Sequence, residues 1–452
     1  MPTDDKDIRK LKDSSSNPTM NFLLKLSING VDVPSSSVVN IVLREWVFDV
    51  LPRLEITISD NGRFIDQFPL QDDAKIIIEL NQFDTQASTI HAQFSLQDYK
   101  ITNSAPGKSQ QARVDITALL DNTNMTFPIH NRSFSSKNSL EVFETVFNES
   151  KNIGKNNLGL RKFEKRIEPK DEMSYLQIDQ NNLNFIAHVL KRSYLKHDDT
   201  PFLYTTRKGI MVYTSLRTEL KKKQQEIPRL VYNIKSATLN SAIYGVNELE
   251  QELKKEKTNE GECLYFYNWY YGNLGGTFNK TNSYGRKFSY YDLTNGTTNE
   301  ISTDEHELST HSLKAKDNIG KITNNDEYGI FDKNNMHVNY MLSRTQNKYL
   351  KENFFGTYLV VYTRPSKDLN LFDRVNVEIK SLLPIESTQD DVHSGQYIVG
   401  GIIHQASKDG IYNCMLVLYR NGLNVKGLLK DFESTHSSKP ISTATITKPK
   451  TL

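Results

Sequence analysis

"SGQYIVGGIIHQASKDGIYNCMLVLYRNG" (Ser394–Gly422) holds two apolar runs around Asp409-Gly410. That dipeptide suits a tight primed hairpin turn, because glycine accepts a positive φ without steric cost. A half-exposed hairpin alternates apolar and polar residues. This one does not. In its second run Tyr412, Cys414, Leu416 and Leu418 point one way, and Ile411, Met415, Val417 and Tyr419 point the other. Both faces call for cover, so these strands are expected inside an assembly of sheets and not at a simple surface.

The rest of the chain fits a β-rich protein with large polar contact surfaces. Its 452 residues suggest about three domains. Aromatic residues make up 10%, with 22 Tyr and 21 Phe, which excludes a disordered chain. Lys and Arg number 56 against 54 Asp and Glu, so no broad basic field points to nucleic-acid binding. Two cysteines, Cys263 and Cys414, fit a reducing compartment. No apolar run is long enough to suggest a membrane-crossing helix. Residues 1–19 carry mixed charge with few apolar side chains and are expected to form a flexible arm, not a secretory signal.

Residues 20–120 read as consecutive strands with turn signals at Ile28–Asp32 and Asp60-Asn61-Gly62, an all-β unit. Residues 121–226 change character. Asn138-Ser-Leu-Glu141 is a capping box opening a helix with Leu140, Phe143 and Phe147 on one face. A second helix over Asn182–Tyr194 turns Leu183, Ile186, Val189, Leu190 and Tyr194 inward, and a hairpin turning at Arg207-Lys208-Gly209 follows. This is a small α+β domain, closed by the solvated run Lys221-Lys222-Lys223. Strand character resumes over 227–247 and 355–424, a second β unit split by residues 248–354. A stretch that long is not plain loop, so it is expected to be an inserted peripheral subdomain, its Tyr265–Tyr271 aromatics packed together. Residues 425–452 form a Ser/Thr/Lys-rich tail whose Leu428, Leu429 and Phe432 offer an apolar anchor for a partner.

The two β units resemble each other. Phe94–Ile101 matches Tyr397–His404, Val114–Leu120 matches the strand ending at Arg420, and Asp73 matches Asp373. In this alignment Ile116 falls on Leu416, and Ile116, Val399, Leu416 and Leu418 are expected in the cores of the two units.

Enzyme chemistry finds no constellation. The ten His are scattered; His404 reads as a packing or rim residue and His188 as surface. Neither a His-Glu-x-x-His nor a Cys-x-x-Cys pattern is present, so no metal site is expected. Gly272–Gly276 lacks the Lys-Ser/Thr of a phosphate loop. Asp198-Asp199 and Asp390-Asp391 read as solvated loop carboxylates, since acid–base work needs a tuned, desolvated partner. No catalytic residue and no cofactor is expected.

In order and spacing the chain resembles the central hub proteins of contractile phage baseplates and the hub part of type VI secretion spike proteins. Three stretches carry this: Phe48–Asp60, similar to an early strand pair of the first tube domain; Tyr175–Leu190, similar to that family's Asn-Phe-Ile helix; and the opening hairpin, similar to its closing segment. The resemblance covers about residues 20–245 and 355–425. It implies a mainly β fold with an α+β part. Two tube-type β-barrel domains, an inserted α+β domain and an extra insertion would form a homotrimeric, pseudo-hexameric ring. It further implies partners: a six-fold tail tube protein, a three-fold central spike and the surrounding wedge proteins, with DNA passing through the channel unbound. The setting would be the virion tail, assembled in the host cytoplasm. Two readings compete within or beside it. One is the hub of a bacterial injection system. The other is a tail-tip protein carrying a glycan-binding module, suggested by the Tyr/Trp/Asn/Gly-rich residues 261–285, or a cell-wall-hydrolase module within residues 250–350.

Overall fold

The structure, a computed structural model, describes residues 22–60, 70–71, 74–82, 89–103, 112–122, 124–151, 158–196, 199–222, 224, 227–232, 263–273, 286–303, 327–363, 368–379, 393–408 and 412–420. The N-terminal arm, the Asp409-Gly410 turn, Asp73 and the tail with Leu428, Leu429 and Phe432 lie outside them.

The chain is mainly β. One thirteen-stranded sheet carries both β units. The first contributes β1 (Phe22–Ile28), β2 (Val31–Val33), β3 (Val38–Trp46), β4 (Arg53–Asp60), β5 (Lys75–Gln82), β6 (Ile90–Asn103) and β7 (Ala112–Leu120). Their alternation is regular: in β7, Val114, Ile116, Ala118 and Leu120 are buried while their neighbours are partly exposed. An α+β unit follows. It comprises β8 (Ile129–Lys137), α1 (Ser139–Ser150), β9 (Lys162–Lys165), β10 (Met173–Asn181), α2 (Asn182–Arg192), β11 (Pro201–Thr205), β12 (Ile210–Ser215) and α3 (Leu216–Lys221). The capping box at Asn138 and Glu141 forms as the sequence implies. The Arg207-Lys208-Gly209 turn also forms. Gly209 sits at φ +73 with the Gly159 carbonyl against it, which leaves no room for a side chain.

The second β unit is built from β13 (Arg229–Tyr232), β14 (Cys263–Asn273), β18 (Thr357–Thr363), β19 (Arg374–Glu378), β20 (Gly395–Ser407) and β21 (Tyr412–Arg420). Their pairings run β19–β13–β14–β18–β21–β20 and return to β19. Between β14 and β18 stand β15 (Arg286–Asp292), β16 (Thr297–Thr303), β17 (Glu327–Phe331) and α4 (Tyr340–Phe354). The insertion therefore begins later than the sequence suggested. Cys263–Asn273 is a strand of the main sheet, and its aromatic run belongs to the second β unit.

The repeat is present strand for strand. The order β3-β4-β7-β6-β5 in the first unit matches β14-β18-β21-β20-β19 in the second, with every pairing antiparallel in both. Registers match too. Tyr99 opposes Ile116 as Ile402 opposes Leu416, and Ile116 opposes Ile56 as Leu416 opposes Val361. The β-bulges coincide: Gln97 and Gly400 are the extra residues of β6 and β20, Val39 and Tyr267 those of β3 and β14. One detail of the sequence alignment changes. The carbonyl of Ala74 accepts from Leu96 as that of Asp373 accepts from Val399, so Ala74, not Asp73, is the counterpart of Asp373. The sixth strand differs, since β1 lies antiparallel to β5 whereas β13 lies parallel to β19. Residues 274–356 occupy the place that residues 47–52 fill in the first unit.

Among the described residues, three apolar clusters form the interior. Ile116 lies in that of the first unit; Val399, Leu416 and Leu418 lie in that of the second; the α+β unit has its own. All four of these residues are at most 1% exposed. The insertion is not peripheral: its Tyr340 and Met341 sit in the α+β core, and Phe354 sits in the core of the second β unit.

Candidate functional site at the open strand edges

The double-faced hairpin of β20 and β21 has one face in the second unit's core. Its other face, Ile403, Met415, Val417 and Tyr419, meets side chains from distant parts of the chain. Phe48, just after β3, and Phe355, just after α4, place their rings 6.3 and 4.9 Å from that of Tyr419. Phe48 and Phe355 also meet edge to face at 4.8 Å. Between them remains an apolar cavity of about 540 Å³, lined among others by Trp46, Tyr270 and Tyr358. Lys351 reaches this cavity with its ammonium 4.8 Å from the centre of the Phe202 ring. Burial, with Lys191 nearby, pulls its pKa down to about 8. Among the described residues the cavity is lined by rings and aliphatic side chains beside this one ammonium.

The joint between the units is polar and dry. The Arg207 guanidinium donates to Glu45 at 2.8 Å, and the Arg207 backbone N–H donates to the same carboxylate at 2.7 Å. Asp368 lies 3.6 Å from Arg207 on its other side. Burial opposes the charge on Arg207, but Glu45 and Asp368 acting together hold the pKa above its ordinary value. His404 packs nearby, with Nδ1 3.0 Å from the Tyr412 hydroxyl. Burial, and then Arg207, depress its pKa to about 3, so it is neutral and structural. His188 is half-buried, not a surface residue, and its pKa falls to about 4 through burial and the nearby Arg192, Lys191 and Arg344. Asp199 is buried as well, accepting from the backbone N–H of Thr200 and of Arg217, where the sequence suggested a solvated loop. Among the described residues no three His, Cys, Asp or Glu side chains cluster as a metal site, and no helix is long and apolar enough to cross a membrane.

The features with no internal explanation lie on strand edges. β20 pairs with β21 on one edge; its other edge is shared by β19 at Gly395–Ile398 and β3 at Gly401–Ser407. In the first unit, β6 pairs with β7 on one edge, but β5 covers only Ile90–Ser95 of the other. Among the described residues nothing covers Asp98–Asn103 there. Likewise β13 covers only Cys263–Phe266 of the outer edge of β14, and among the described residues nothing covers Asn268–Asn273 there. These open edges carry apolar side chains in water: Tyr99 is 41% exposed, Ile101 46% and Tyr270 48%. A second apolar surface lies on the two-stranded sheet of β8 and β10, where Ile129, Leu176 and Ile178 stand exposed beside Phe127. Sequence reasoning missed both. The signal for the second was present in Tyr175-Leu-Gln-Ile178, where the outward positions are the aliphatic ones.

No family model matches the sequence, and none of the curated proteins matches it. Solved structures do. The tail protein from Neisseria meningitidis MC58 matches over 89% of this chain and 98% of its own, with TM-score 0.50 and 7% identity. The 43 kDa tail protein of prophage MuSo2 from Shewanella oneidensis matches over 88% and 98%, with TM-score 0.49 and 9% identity. The E. coli c3393 protein, a component of the type VI secretion system, matches over 88% and 76%, with TM-score 0.42 and 11% identity. The fold of this chain is that of the Neisseria tail protein.

Proposed function

We propose that the protein is a non-catalytic baseplate hub. Three copies, each supplying two tube-type β-barrel domains, make a pseudo-hexameric ring that joins a six-fold tail tube to a three-fold central spike. One observation carries this reading: the duplicated five-strand sets, equal in order, register and bulges, joined edge to edge within one chain on a tail-protein fold. A tube repeating every sixty degrees needs six like surfaces, whereas a needle needs three. A trimer of duplicated domains supplies both. The tail with Leu428, Leu429 and Phe432 would reach the spike, and the α+β unit with the insertion packed on it would face the wedge proteins. DNA would pass through the channel without specific binding, in a virion tail assembled in the host cytoplasm.

Light scattering with end-on electron microscopy tests the ring. The expected result is a trimer with six lobes around a channel; a monomer, or a ring with another number of lobes, removes the reading. Truncation after Asn424 should leave the trimer intact and abolish co-purification with the spike protein. Undiminished spike binding would free the tail from that role.

A further inference from the structure

We infer that the aromatic cavity beside the β20–β21 hairpin is a docking site for the chain's own C-terminal segment, with Leu428, Leu429 and Phe432 among its rings and a tail carboxylate against Lys351. The cavity is open and apolar. Of the rings that line it, Phe48 and Tyr270 stand 44% and 48% exposed. Its volume of about 540 Å³ lies within the range of about 300–1,000 Å³ in which proteins hold ligands. One charge reaches it, the Lys351 ammonium above the Phe202 ring. The charged neighbour of that ammonium is another cation, Lys191, and among the described residues no carboxylate forms an ion pair with it. An ammonium drawn partly out of water without a counter-charge is costly, so the site favours an occupant with apolar sides and an acidic group.

The place where β21 ends selects the occupant. Tyr419 is part of the cavity wall, and Arg420, the next residue, pairs with Thr357. Thr357 follows closely on Phe355, whose N–H donates to the Lys351 carbonyl. The chain therefore leaves the described fold beside both the rings and the ammonium. Seven residues, Asn421–Gly427, separate that point from Leu428. At about 3.3 Å per residue they reach across the cavity with slack. The sequence of the tail selects the same segment. After Arg420 the chain has two acidic residues, Asp431 and Glu433, and they flank Phe432. The strongest apolar anchor of the tail thus carries its carboxylates, as the cavity carries its cation. The tether holds this segment at an effective concentration of about millimolar, so a contact too weak for a free peptide suffices. The same anchor is the one assigned above to the spike. Docking would withhold it until a partner binds it more tightly. The inference goes beyond the hub reading and does not rest on it.

Trp46, half-buried in the cavity wall, reports on the site. The test uses the full chain with Trp269→Phe, which leaves Trp46 as its single tryptophan. Acrylamide quenching of Trp46 is compared between that chain and the same chain with Leu429→Asp and Phe432→Asp, both outside the described fold. Quenching should rise several-fold when the anchor is altered, and by less with Lys351→Met alone. Equal quenching with and without the anchor overturns the inference, and protection unchanged by Lys351→Met overturns the charge pairing. A second measurement identifies whose tail is bound. The full chain carrying Lys351→Cys and Asp431→Cys is oxidised, run on a non-reducing denaturing gel and mapped by mass spectrometry. The expected product links the two positions at the mobility of a single chain. A covalent dimer or trimer in its place, or no link, overturns the assignment to the chain's own tail. Light scattering on the same samples reads the number of copies, so the ring reading stands or falls separately from this one.

Discussion

Glu45 and Arg207 form an ion pair with almost no access to water, their side chains 2% and 7% exposed, and it ties the first β unit to the α+β unit. Desolvation of such a pair offsets much of its attraction, so its loss as a pair is tolerated better than the loss of one partner. Arg207→Met alone should cost about 3–5 kcal/mol, because it strands the Glu45 carboxylate. Adding Glu45→Gln to it should recover part of that loss in urea unfolding; strict additivity would mean the two groups do not interact. His404 makes a pH prediction. Unfolded, an imidazole titrates near 6.5; in the fold it accepts a proton only near about 3. Between those values the unfolded chain binds a proton that the folded chain refuses, so stability is full above about 6.5 and falls as the pH drops towards 3. His404→Gln should flatten the acid limb by up to about 1.4 kcal/mol per pH unit. An unchanged slope would mean that this ring is hydrated. Gly400 is held for a reason its bulge does not supply, since Gln97 stands at the matching bulge. A Cβ at Gly400 would run into the Tyr419 ring. Gly400→Ala should therefore cost about 1–3 kcal/mol by overpacking, and less in a Tyr419→Leu background.

Among elements, α4 departs furthest from what its sequence implied. It lies in the insertion whose sequence implies a peripheral subdomain, yet its Ser343, Gln346 and Asn347 are buried. Ser343 and Asn347 cap the end of α2, and Gln346 holds the segment after it. Ser343 donates to the Arg192 carbonyl at 3.0 Å, Asn347 to that of Ser193 at 2.7 Å, and Gln346 to those of Lys196 and Asp199 at 2.9 and 2.7 Å. A helix end leaves carbonyls without partners, and here a segment far along the chain supplies them. Nothing local in either sequence reveals that match, which is why the insertion looked detachable. β14 was misread for another reason. Leu-Tyr-Phe-Tyr-Asn-Trp-Tyr-Tyr has aromatic side chains on both faces, so it lacks the period-two signature, and polar stretches flank it. The capping box and the Gly209 turn were legible because each depends on residues within a few positions. Asn347→Leu should cost about 1–3 kcal/mol by leaving the Ser193 carbonyl unpaired in the interior. Replacing residues 274–356 by a short linker should lower the melting temperature and expose apolar surface. An unchanged melting curve after that deletion would restore the insertion to a peripheral role.

At the scale of the molecule, the duplication was legible in the matched strands around Ile116 and Leu416, because register leaves a periodic trace in buried residues. The open edges were not. An edge is defined by which strand is missing beside it, and only the assembled sheet reveals that. The charge of the whole chain bears on what such a ring can pass. With 56 basic residues against 54 acidic, it has little surplus to neutralise phosphates. Each neutralised phosphate releases counterions and strengthens retention, so a channel that must let DNA slide is best served by a wall that neutralises few. The purified assembly should therefore give no retardation of linear duplex DNA at about 0.15 M salt, and only weak retardation at about 0.05 M, where screening is reduced. Strong retention that falls steeply with salt would reveal a concentrated basic surface, and the channel would then be a grip on DNA and not a passage.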